Sequence, residues 1–129
     1  MKWKKSFIII LGALLFVSCG GGEEKDIAAL TIEAYLQALV DKDSDTIVSL
    51  SCADWEENAL TEIAAYDGVT ARLEGAQCQL AEQDGEDALV SCQGSIIATY
   101  SGEDRPIALD GLQFKVKQEA GEWRMCGYR

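Results

Sequence analysis

The chain has 129 residues, 48% of them apolar, with 22 acidic side chains against 11 basic ones and no histidine, a net charge of −11. That length suits one domain, and the apolar share is too high for a disordered chain. The acidity argues against nucleic acid, whose phosphates need basic contacts, and against attachment to anionic lipid through the protein surface.

In chain order, Lys2, Lys4 and Lys5 precede an almost wholly apolar run from Phe7 to Val17. This is the layout of a secretory signal, with an apolar stretch too short to span a bilayer. It ends in Leu15-Phe16-Val17-Ser18-Cys19-Gly20, which resembles the bacterial lipobox, with Phe16 where leucine is usual. The resemblance implies that residues 1–18 are removed and that Cys19 becomes the lipidated first residue, carrying palmitate-type acyl chains. A plain signal peptide cut near Gly20 is the alternative. Gly20, Gly21 and Gly22 then make residues 19–25 an anchor and flexible tether. From Cys19 to Ile27 the extended chain reaches about 25–30 Å. Without the three signal lysines, 8 basic residues stand against 22 acidic ones, a net of −14. The expected product is one domain over residues 26–129, outside the cytoplasm. The acyl chain, not the protein surface, would hold it to the cell membrane or outer membrane of a bacterium.

The domain begins with helical patterning. Ile27 to Val40 is apolar around most of its circumference, with Asp26, Glu33 and Gln37 as a narrow polar stripe; such a helix is largely buried. Asp43 or Ser44 caps a short second helix through Ile47, Val48 and Leu50. Asp41, Asp43 and Asp45 imitate the start of a calcium loop, but Thr46 and Cys52 stand where glycine and glutamate are needed, so capping is preferred. Ser51 is placed to cap a third helix, in which Trp55, Ala59, Leu60 and Ile63 recur at helical spacing while Glu56, Glu57 and Glu62 face out.

Four strand-like runs follow, at about 70–82, 87–101, 105–118 and 122–128. Their turns are Asp84-Gly85, Ser101-Gly102 and Ala120-Gly121. Asp110-Gly111 interrupts the third run, where the apolar parity flips from Ile107 and Leu109 to Leu112, Phe114 and Val116, as a β-bulge would produce. Export leaves Cys52, Cys78, Cys92 and Cys126 to pair in an oxidising compartment. If Asp84, Gly85 and Glu86 form a three-residue loop, Gln83 faces Asp87 and Cys78 faces Cys92, leaving Cys52 for Cys126. By chain entropy such links are worth on the order of 3 and 4.5 kcal/mol. A metal centre is the alternative, weak without histidine or any Cys-x-x-Cys pair.

Helices followed by a long antiparallel meander make an α+β plan, with N-terminal helices packed on a curved sheet of about four long strands. The stretches "AYLQALVDKDSDTIVSLSCADW" and "EAGEWRMCGY" with these strands resemble the nuclear-transport-factor-2-like superfamily, and among its members the small bacterial lipoproteins. The resemblance covers residues 26–129. It implies a cone-shaped fold whose sheet wraps the first helix and often leaves a pocket at the open end.

Trp55, Tyr100, Asp110 and Trp123 are the candidate pocket residues. Core anchoring is the bland reading of the two tryptophans, and a bulge position that of Asp110, which could otherwise be a buried base at the cone mouth. Tyr35, Tyr66, Tyr100 and Tyr128 could each donate to a ligand. With no Ser-His or Cys-His pair, no metal spacing and no cofactor motif, the expected function is a non-enzymatic binding or accessory module for a small apolar ligand or a protein partner. Two alternatives stand. One is an isomerase or cyclase resembling ketosteroid isomerases and polyketide cyclases, working through Asp, Glu or Tyr; an apolar cavity with one buried carboxylate would favour it. The other is a structural envelope spacer; a filled cone would favour it or partner binding. Replacing Cys19 with Ala should abolish fatty-acid labelling in cells and move the protein out of the membrane fraction. Labelling that survives Cys19→Ala refutes the anchor.

Overall fold

The structure, a computed structural model, describes residues 26–129. The signal segment, Cys19 and the glycine tether lie outside the described residues. Helix α1 spans Ile27–Asp41, α2 Ser44–Ser49 and α3 Glu56–Ala64, the last entered through a 3-10 turn at Ala53–Trp55. Strands β1 (Thr70–Asp84), β2 (Asp87–Tyr100), β3 (Glu103–Ala108), β4 (Gln113–Glu119) and β5 (Glu122–Tyr128) form one antiparallel sheet. The helices pack on the curved sheet. No helix among the described residues is long and apolar enough to cross a membrane.

The local chemistry of the helix ends follows the sequence. Asp26 caps α1 by accepting the Ala28 N–H at 2.8 Å. Asp43 caps α2, accepting the Thr46 N–H at 3.1 Å and the Thr46 hydroxyl at 2.6 Å. Those two bonds to Thr46 lower the carboxyl pKa of Asp43. Ser51 does not cap α3. The segment around it is an extra rung on β5, where Met125 N–H donates to the Leu50 carbonyl and Cys52 N–H to the Met125 carbonyl, at 2.7 and 2.9 Å. Ser51 is therefore buried, with its hydroxyl donating to the Ile47 carbonyl.

The solvent face of α1 also differs from the polar stripe. Ile27, Leu30, Ala34, Gln37 and Asp41 are exposed. Glu33 turns toward the sheet and accepts the Cys78 N–H at 3.2 Å. The reason is that β1 is an edge strand, and its outward N–H groups need acceptors. The opposite side of α1 buries Ile32, Tyr35, Leu36 and Leu39 against Val90, Phe114, Val116 and Met125. Each large side chain so buried stabilises by about 1.5–3 kcal/mol.

The sheet order is β1-β2-β4-β5, with β3 also on β2. β3 pairs with Ser95–Tyr100 and β4 with Asp87–Ser91, so the two lie end to end along the same edge. The expected third strand is thus two strands broken over Leu109–Leu112, and the sheet has five strands by this count. The break lies beside Gly94. There Gly75 and Ala76 of β1 oppose Gly94 alone, between the pairs Glu74↔Ser95 and Gln77↔Gln93. Gly94 sits at φ +95°, its carbonyl accepting the Leu109 N–H at 2.9 Å. A Cβ on Gly94 would stand 2.4 Å from the Gly75 carbonyl oxygen.

The β1–β2 hairpin closes with Asp84 opposite Asp87, a two-residue turn instead of the expected three-residue loop. A second bulge between Leu80 and Glu82 shifts the register by one, so Cys78 still faces Cys92. The two form a disulfide with Cα atoms 4.0 Å apart. Cys52 and Cys126 form the other, at 5.4 Å. Cys126 is itself a bulge residue, extra between the pairs Val116↔Met125 and Lys115↔Gly127. Two such pairs suit an oxidising, extracytoplasmic compartment.

Gly94→Ala should therefore destabilise the domain by about 2–4 kcal/mol, through overpacking against backbone plus left-handed strain. Gly75→Ala, with open space around its Cβ, should cost only about 1–2 kcal/mol. Urea denaturation of the two variants checks the order.

Candidate functional site

The inward face of α3 and the turn after it reads Ala59, Glu62, Ile63, Tyr66, which is the i, i+3, i+4, i+7 spacing of a single helical stripe. Glu62 is half-buried and lines the cone interior. The helical pattern alone puts it outward with Glu56 and Glu57; the packing of α3 turns it inward. The chamber it enters has a volume of about 210 Å³. Leu36 and Leu39 of α1 form one wall, and Ile96, Leu109, Phe114 and Tyr128 form the sheet side. Ala65, Tyr66, Ile107 and Leu112 complete it, with Leu112 39% exposed at the rim. Glu62 is the one charged side chain in this lining.

One aromatic side chain holds that carboxylate and a second supports the first. The Tyr35 hydroxyl donates to Glu62 Oε2 at 2.8 Å, and Trp55 Nε1 donates to the Tyr35 oxygen at 3.0 Å. Tyr128 lines the chamber beside them. Its ring meets Trp55 edge-on at 5.7 Å and Phe114 at 5.2 Å. Gly127, at φ +124°, makes room for this stack, because a Cβ there would lie 3.3 Å from the Trp55 ring. Burial and then the Glu62 charge push the hydroxyls of Tyr35, Tyr66 and Tyr128 well above their ordinary value. Tyr66 makes no hydrogen bond from its hydroxyl among the described residues.

A second, outer trough of about 410 Å³ adjoins the chamber through Ala65, Tyr66 and Ile107, which line both. Val69, Ala98 and Tyr100 continue it, and Arg105 stands in its wall. The four sequence candidates do not meet in one place. Tyr100 is 56% exposed in the outer trough. Trp55 stands behind the chamber wall, supporting Tyr35 and Tyr128. Asp110 is exposed and borders a different depression, with Asp26, Gln77 and Gln93. Trp123 packs half-buried against the core, opposite Gln118.

The tyrosines give a pH dependence with a definite sign. Their folded pKa values lie above the ordinary 10.0. Stability is therefore full below pH 10 and falls above it, as the unfolded chain ionises tyrosines that the folded chain keeps neutral. Absorbance of tyrosinate should rise together with unfolding, and Glu62→Gln should move that rise to lower pH.

No protein-family model and no curated protein sequence matches the chain. Solved structures do. A ketosteroid isomerase-like protein from Erwinia carotovora atroseptica superposes with a TM-score of 0.60 at 19% identity, covering 82% of this chain and 95% of that one. An NTF2-like protein with a cystatin-like fold from Novosphingobium aromaticivorans gives 0.55 at 16%, over 77% and 75%. A protein of unknown function from Mycobacterium tuberculosis gives 0.58 at 15%, over 78% and 69%. At such identities the likeness is one of architecture, and the chain has the nuclear-transport-factor-2-like α+β fold.

Proposed function

We propose that this chain is a membrane-anchored, extracytoplasmic lipoprotein whose cone chamber binds a small, largely apolar ligand. The observation that carries the reading is the chamber itself: an open apolar volume whose single carboxylate is half-buried, not buried, and already accepts the Tyr35 hydroxyl. Such a concave, mostly apolar site with few polar groups is the usual form of a ligand pocket. The apolar residues at 7–17 and Cys19 support the anchor, and the two disulfides support an exported, durable module.

An isomerase or cyclase is the second reading, and the juxtaposition of Glu62 with the unengaged Tyr66 hydroxyl favours it. A base and an oxyanion donor in one apolar chamber is the minimum that proton abstraction beside a carbonyl requires. Asp110, exposed outside the chamber, is not the base in this reading. Binding is preferred because Glu62 already accepts the Tyr35 hydroxyl, which points at the carboxylate instead of the open volume.

Leu112→Trp at the rim should plug the chamber. A neutral aromatic probe, 2-phenylethanol, should then lose at least tenfold in affinity by NMR titration while the fold persists. Binding unaffected by the plug rejects the chamber as the site. Turnover of small ketones or lactones that vanishes in a folded Tyr66→Phe variant would replace the binding reading with the catalytic one.

A further inference from the structure

The geometry points to a ligand that carries a positively charged amine, seated against Glu62, with an apolar tail running into the outer trough. This deepens the chamber reading and rests on it. Glu62 has no ion-pair partner among the described residues: Arg72, Arg105, Lys117, Arg124 and Arg129 pair with other carboxylates, Lys42 donates to a backbone carbonyl, and Lys115 lines a different depression. Its hydrogen-bond partner is a neutral hydroxyl, which orients a carboxylate without cancelling its charge. An uncancelled negative charge among apolar walls is complementary to a desolvated cation, which can form a charge-assisted hydrogen bond with it.

The walls fit the same ligand. Tyr66, Tyr128 and Phe114 line the chamber around the carboxylate, and aromatic faces attract ammonium groups through their quadrupoles. The acidic balance of the whole chain, 22 against 11, adds a field that concentrates cations and repels anions. The chamber, at about 210 Å³, holds a head group and a short stem. The trough of about 410 Å³ that shares Ala65, Tyr66 and Ile107 with it extends the apolar surface outward past Val69 and Tyr100. Arg105, in that outer wall, is 69% exposed and paired with Glu103 at 3.5 Å, so the tail end meets solvent and not a second cation trap. A small amine with an aryl or alkyl tail satisfies both spaces. An anionic tail-bearing molecule satisfies only the trough.

The test uses the full chain and three probes of the same shape: 2-phenylethylamine, 2-phenylethanol and phenylacetate. Binding is followed by NMR shifts of the Tyr66, Tyr128 and Leu109 resonances. The amine should bind at least tenfold more tightly than the alcohol, with phenylacetate weakest. In Glu62→Gln the amine should fall to the alcohol's affinity while the alcohol is unchanged. Equal affinity of amine and alcohol in the unaltered protein overturns the cation inference and leaves the apolar chamber standing, and that comparison needs no variant to fold. A preference for the amine that persists in Glu62→Gln also overturns it, by placing the charge recognition elsewhere. If none of the three shifts the chamber resonances, the chamber reading fails and this inference fails with it.

Discussion

The close backbone approach of Gly75 and Gly94 is the constraint on which the cone depends. Two residues of β1 oppose one of β2 there, and no side chain fits between the strands. A bulge bends the strand that carries it and raises the local twist. The bend falls where the partner edge of β2 changes from β3 to β4. Leu109, held to the Gly94 carbonyl, enters the break and is buried. The sheet can then close partly around α1 while its β3 half stands away from the helix. The unfilled space between that half and α3 is the chamber.

The second organising feature is the Cys52–Cys126 link. It joins the turn that carries Trp55 to the bulge that precedes Gly127 and Tyr128. Trp55, which supports Tyr35 from behind, and Tyr128, which lines the chamber, are each within three positions of one of its cysteines. The backbone ladder of Leu50 and Cys52 with Met125 runs alongside. The disulfide therefore stabilises the domain through the unfolded chain and also fixes the wall of the site. The chamber wall is built from residues 36–66 and 96–128, which only tertiary structure brings together. Cys78–Cys92 does a different task, clamping the long hairpin beyond the bend.

Function in this architecture resides in the lining and not in the fold. The likeness to a ketosteroid isomerase-like protein carries the shape of the cone and nothing about its chemistry. The lining here is apolar with one carboxylate, and the groups around it are tyrosines, not cations. That combination is what the proposed recognition of a charged head group rests on, independent of what neighbours of the fold do.

The sequence by itself determined the α+β order, the capping of α2 by Asp43, the hairpin at Asp84-Gly85 and the facing of Cys78 and Cys92. These are local: a side-chain oxygen reaches an N–H two or three residues away, and a glycine turn reverses two alternating runs. Even so, the cysteines face each other through a two-residue turn plus a bulge near Ala81, where the pattern alone suggests a three-residue loop. Both solutions give the same parity downstream, so residue spacing cannot separate them. Only the tertiary structure decided that Glu62 points inward, that Asp110 lies outside the chamber and that Trp55 supports the wall instead of lining it. The phase of a nine-residue helix such as α3 is set by what it packs on, because a half-turn of rotation costs little until Tyr35 offers its hydroxyl to a carboxylate. That partner is separated from Glu62 by 27 residues, a distance across which no local pattern can reach.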